Sequence, residues 1–239
     1  MSIAERLTTI AENEQRVFEA GKKSEYDAFW DSFQQNGNRT LYNSAFGSCW
    51  NKDNFKPKYS IRPTNAYQMF FNNIGTYIDA GEVAEDYFDN LGIELDYSQA
   101  KNVVYCVATL HASRFKKLDF SSATSMTNIF YSHSSTYGRG VEVIDNFVSS
   151  EITTYRSDTF QGAEVLREMR VTGVIATGDF NVQWCPLLSH DSLMSIINAL
   201  ADKSTDTSKA WTATLGATNL AKLTIEEKEI AYNKGWDLG

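Results

Sequence analysis

Cysteine, proline and histidine are scarce, at three residues each in a chain of 239. Cys49, Cys106 and Cys185 lie far apart and are odd in number, and no CxxC pair or Cys/His cluster stands at zinc spacing, which argues against a disulfide framework and a zinc site. So few prolines, with 14 glycines, exclude collagen-like and linker-dominated chains. Basic charge is also short: 22 Lys+Arg against 30 Asp+Glu leave a net charge of −8, which speaks against a nucleic-acid binder with a diffuse basic surface. No stretch approaches the roughly 18–20 apolar residues that a membrane helix needs, so membrane insertion is not expected. The start, MSIAERLTTIAENEQ, lacks the basic opening and apolar run of a secretory signal.

Catalytic signatures are missing as well. No GxGxxG, Walker loop, HExxH or nucleophile elbow occurs. The imidazoles are His111, His133 and His190; the pair His190-Asp191 reads as a helix start following Ser189 as N-cap rather than as an acid–base couple. Seven acids and no base fall between Asp79 and Asp96, yet no window has the ligand order of a calcium-binding loop. They read as the wet face of a short helix, Glu82–Leu91, closed by Gly92. The expectation is a non-enzyme with no catalytic, cofactor-binding or metal-binding residues and no cofactor.

What the chain has in abundance is aromatic: 12 Tyr, 14 Phe and 5 Trp, or 13%. Residues 1–38 read as a helical stem, in which Ile3, Leu7, Ile10 and Val17 form a short a/d seam. That seam fits an oligomerising coiled coil, a homotrimer being one form, or a helix packed on its own domain. Tyr26, Phe29, Trp30 and Phe33 give the same segment a broad aromatic face. Residues 39–78 read as an ordered aromatic connector, with Pro57 and Pro63 fixing extended backbone.

A period then emerges. Apolar–x–apolar strand candidates recur at Ile93-Glu94-Leu95, Leu118-Asp119-Phe120, Val143-Ile144-Asp145 and Met169-Arg170-Val171, so that their starts fall at near-even intervals along the chain. One short strand per unit of 20–29 residues is the range of leucine-rich repeats, whose units bury their apolar faces only by stacking. The predicted fold class is α/β: a short leucine-rich-repeat-like solenoid with a parallel sheet, a degenerate array over 79–188, the N-terminal helical stem, and a helix–strand–helix C-terminal cap over 189–239. Four evenly spaced strands of an ordinary domain are the competing reading. In the cap, Leu193, Ile196, Ile197 and Leu200 predict a buried helical stripe, Trp211–Leu215 a strand, and Thr224-x-x-Glu227 a capping box opening a last helix.

One connection is long. The stretch from Phe130 to Val143 exceeds the corresponding stretch from Phe160 to Met169. The inserted 131–142 segment has the Tyr/Ser/Gly/Arg composition of adaptable recognition loops. Tyr131, His133, Tyr137 and Arg139, with Tyr155, are therefore the candidate partner-binding residues, against the alternative of a plain surface loop.

The carboxyl-terminal stretch LSHDSLMSIINALADK (188–203), then TLGATNLAKL (214–223) and Lys234-Gly235-Trp236, resembles the terminal segment of BspA-like leucine-rich-repeat proteins encoded by gut bacteria and their phages. EAGKKSEYDAFWDSF (19–33), with Asn36-Gly37-Asn38-Arg39, Tyr42, Ala45-Phe46 and Phe55-x-Pro57-x-Tyr59, is similar to the leader of phage-encoded members. The middle departs from the family's phenylalanine–asparagine–cysteine–leucine rhythm, approached only at Phe160-Gln161-Gly162-Ala163 and Phe180-Asn181-Val182-x-x-Cys185, which leaves the repeat count open. The resemblance implies a non-enzymatic phage virion protein of tail-fibre or baseplate type, with protein-binding and host-attachment roles. Its partners would be other virion proteins or a host surface protein or glycan. A bacterial surface or secreted leucine-rich-repeat adhesin is the alternative, and a carbohydrate-active enzyme a third reading.

Overall fold

The computed structural model describes residues 39–40, 60–69, 78–79, 82–108, 110–131 and 140–239. The seam residues Ile3, Leu7, Ile10 and Val17 and most of the aromatic connector lie outside these described residues. The chain is a mixed α/β protein whose sheets are parallel and open. Its strands are β1 (Arg39–Thr40), β2 (Pro63–Asn65), β3 (Ile78–Asp79), β4 (Leu110–His111), β5 (Arg114–Phe115), β6 (Leu118–Asp119), β7 (Ser125–Met126), β8 (Val143–Ser149), β9 (Thr154–Tyr155), β10 (Glu168–Gly173), β11 (Phe180–Asn181), β12 (Trp211–Thr214) and β13 (Trp236–Leu238). Among the described residues the helices are α1 (Ala84–Asp89), α2 (His190–Ala199), α3 (Ala217–Leu220) and α4 (Ile225–Asn233).

Every described strand pair is parallel, and the partners are well separated in sequence, as Asn102 is from Ser125 and Ile61 from Leu95. Parallel pairing requires the chain to cross over between paired strands, and several pairs skip a strand, as β8 pairs with β10 and β7 with β9. Two rows result. One carries Asn102, Ser125 and Thr154 side by side; the other carries Val83, Arg114, Val143 and Glu168.

Buried rings touch in succession through the interior. Tyr97 meets Phe120 at 5.6 Å between centroids, Phe120 meets Phe147 at 5.7 Å, Phe147 meets Phe160 at 5.5 Å, and Phe160 meets Phe180 at 5.5 Å. Tilted and edge-on contacts of this kind match the charge distribution of the rings. Phe120, Phe130, Phe160 and Phe180 are all fully buried. Glycine is required where segments press closest. At Gly162 (φ +93°) an added Cβ would collide with the Phe130 carbonyl oxygen, and at Gly173 (φ +83°) with that of Ser149.

The spacing expected from the sequence, which sets Val143 and Met169 at equivalent places, is off by one residue: Glu168 lies opposite Val143 and Met169 opposite Ile144. The register expected for Leu118 is corrected. It is Arg114-Phe115 that stands opposite Val143-Ile144, while Leu118-Asp119 pairs further along, with Phe147-Val148. The long strand β8 accommodates both pieces, and the step between them, Lys116-Lys117, is held from α1: the Glu85 carboxylate accepts both backbone N–H groups at 2.8 and 2.9 Å. Helix α1 falls inside the expected 82–91 span, and Gly92 follows it at φ +70°. Its acids face cations as well as water: Asp86 pairs with Lys116 at 2.5 Å, and Glu94 beyond the helix with Arg62 at 2.6 Å.

The last stretch forms where the local signals lie. Ser189 Oγ accepts the Ser192 N–H at the start of α2, and Leu193, Ile196, Ile197 and Leu200 are buried. Thr224 and Glu227 close a capping box on α4. Two serines on α2 do something further. Ser192 Oγ accepts the Met169 N–H and Ser195 Oγ the Val171 N–H, both at 2.8 Å, while Ser195 donates back to the Val171 carbonyl. Side chains thus take the place of a further strand along the edge of β10.

Candidate partner-binding surface

Asn128 organises one outward-facing cluster. Its backbone is left-handed, φ +49°, a conformation asparagine tolerates better than most residues. Its amide nitrogen donates to the Tyr105 hydroxyl at 3.2 Å and to Asp158 Oδ2 at 3.1 Å. A carboxylate only accepts, so the Asp158 contact fixes which end of the amide is nitrogen. Tyr105, also left-handed at φ +53°, meets Tyr131 edge-on at 5.5 Å. On the far side of Asp158, the Trp184 indole N–H donates to the Ser157 carbonyl at 3.2 Å.

The backbone explains why four distant pieces of sequence converge. Tyr105 N–H donates to the Thr127 carbonyl, and Ile129 N–H to that of Thr159. The 156–159 turn is tied inward through Thr159, whose hydroxyl takes the Arg156 N–H and donates to the Met126 carbonyl. Residues 105, 128–131, 156–159 and 184 therefore come from successive neighbouring segments, and they leave two rings in water: Tyr131 is 48% exposed and Trp184 41%.

Of the residues predicted for binding, Tyr131 stands in this cluster. His133, Tyr137 and Arg139 lie outside the described residues. Tyr155 is corrected: it is fully buried, its ring packs on Phe180 at 4.9 Å, and its hydroxyl bonds Ser149, so it belongs to the interior. Burial also raises its pKa above the ordinary phenol range.

Asn128, Asp158 and Trp184 were not expected from sequence, although a signal for Trp184 exists. Asn102-Val103-Val104-Tyr105-Cys106 and Asn181-Val182-Gln183-Trp184-Cys185 share one pattern. In both, the asparagine Oδ1 accepts the N–H two residues on, valine and cysteine are buried, and the fourth position carries the ring. Asn65 makes the same turn with the Tyr67 N–H. Asparagine favours such turns because its short side chain imitates a backbone carbonyl.

Other chemistry-bearing groups are engaged structurally. His190 Nε2 lies 2.8 Å from Glu227 Oε1 and ties α2 to α4; its contact with Asp191 is longer, at 3.6 Å. Burial pushes the Cys106 and Cys185 thiols far above their ordinary pKa, which suits packing and not nucleophilic attack. A shallow groove of about 760 Å³ runs between β8, β10 and α2, lined in part by Asp145, Glu168, Asp191, Ser192 and Ser195. Arg114 grips Asp145 there with two hydrogen bonds at 2.7 and 2.8 Å, and the two serines serve the β10 edge. Among the described residues no helix is long and apolar enough to cross a membrane. The chain matches no protein-family model, no curated protein and no solved structure.

Proposed function

We propose that this chain is a non-enzymatic, phage virion-associated protein of tail-fibre or baseplate type, structural or host-binding in role. In this reading it is a short leucine-rich-repeat-like solenoid, ended by the segment from α2 to β13 and carried on an N-terminal stem that assembles copies of the chain, a homotrimer being one form. Its partners are other virion proteins or a host surface protein or glycan. The observation that supports it best is the cluster around Asn128, where segments distant in sequence hold half-exposed rings side by side. Stacked units offer such extended surfaces, and the polar-rimmed aromatic composition is that of binding faces. The resemblance of the 19–59 stretch to the leader of phage-encoded BspA-like proteins supports the phage setting. Proteomic analysis and antibody labelling of purified particles test it. The chain should co-purify with particles and label the tail; recovery only from the envelope or medium of a bacterium without particles overturns the virion reading in favour of an adhesin.

A further inference from the structure

We draw no further inference here: the strongest candidate, the surface patch on the outward face of α4 where Ile225 and Tyr232 stand exposed beside Glu226 and Glu229, carries none because nothing in the structure shows what covers it.

Discussion

Phe160 sits where three other rings meet: Phe130 stacks on it at 6.0 Å, Phe147 lies at 5.5 Å and Phe180 at 5.5 Å. Phe160→Ala should cost about 3–5 kcal/mol in urea unfolding, because it opens a cavity the neighbouring rings cannot fill. A loss below that of an ordinary surface change would show that the rings re-pack freely. His190 gives a residue-scale pH prediction. The hydrogen bond with Glu227 chiefly raises its pKa above the ordinary 6.5, and the Thr224 N–H chiefly lowers that of Glu227 below 4.5. Stability from charged His190 is complete below about pH 6.5 and is lost as the pH climbs through the raised folded value; that from Glu227 is present above about pH 4.5 and fades as the pH falls through the lowered one. His190→Gln should therefore lower the melting temperature most near pH 5–6, and its difference from the parent should shrink toward about pH 9. This pair is invisible in sequence because its members are 37 residues apart. Tyr155 fails for a related reason: a lone tyrosine reads as a partner-binding ring until Phe180 and Ser149 are seen around it.

Short-range chemistry made other elements readable. The Ser189 N-cap, the Thr224–Glu227 box and the α2 stripe all depend on residues within a few positions of each other, and each appears where the pattern puts it. Thr224→Ala should destabilise by about 1 kcal/mol, read as a small shift of the denaturation midpoint. The serine edge of β10 was not readable, since Ser192 and Ser195 look like ordinary polar helix positions and their partners Met169 and Val171 lie 23 and 24 residues earlier. Ser192→Ala with Ser195→Ala removes both acceptors, and each stranded N–H should cost roughly 1–3 kcal/mol. Denaturation matching the parent would show that the edge is closed by something else. The register of Leu118 was beyond the sequence too. An apolar–x–apolar triplet marks a strand without saying where along its neighbour it lies. The deciding contact is Glu85 on the Lys116-Lys117 backbone, 31 and 32 residues away.

For the molecule as a whole, the apolar stretches of β8 and β10 were legible as strands, but their register was not, since Glu168 and not Met169 stands opposite Val143. The location of the Asn128 cluster was not legible either, because it is assembled from four pieces of chain that share no local motif beyond the asparagine turn. The pairing pattern also has a mechanical reading. Each described segment bonds to the segments before and after it, so damage should spread to neighbours and weaken with distance. Gly173→Ala, which forces a Cβ against the Ser149 carbonyl, should raise hydrogen exchange in β8 and β10 while amides around 100–108 keep their protection. Equal loss of protection everywhere would mean a single all-or-none unit.

The serine-closed edge of β10 bears on self-association. When α2 lifts away, the Met169 and Val171 N–H groups lose Ser192 and Ser195 while the strand stays paired with β8 on its other side. The protein then carries an open strand edge, and this is the point at which two copies are most apt to join by mistake.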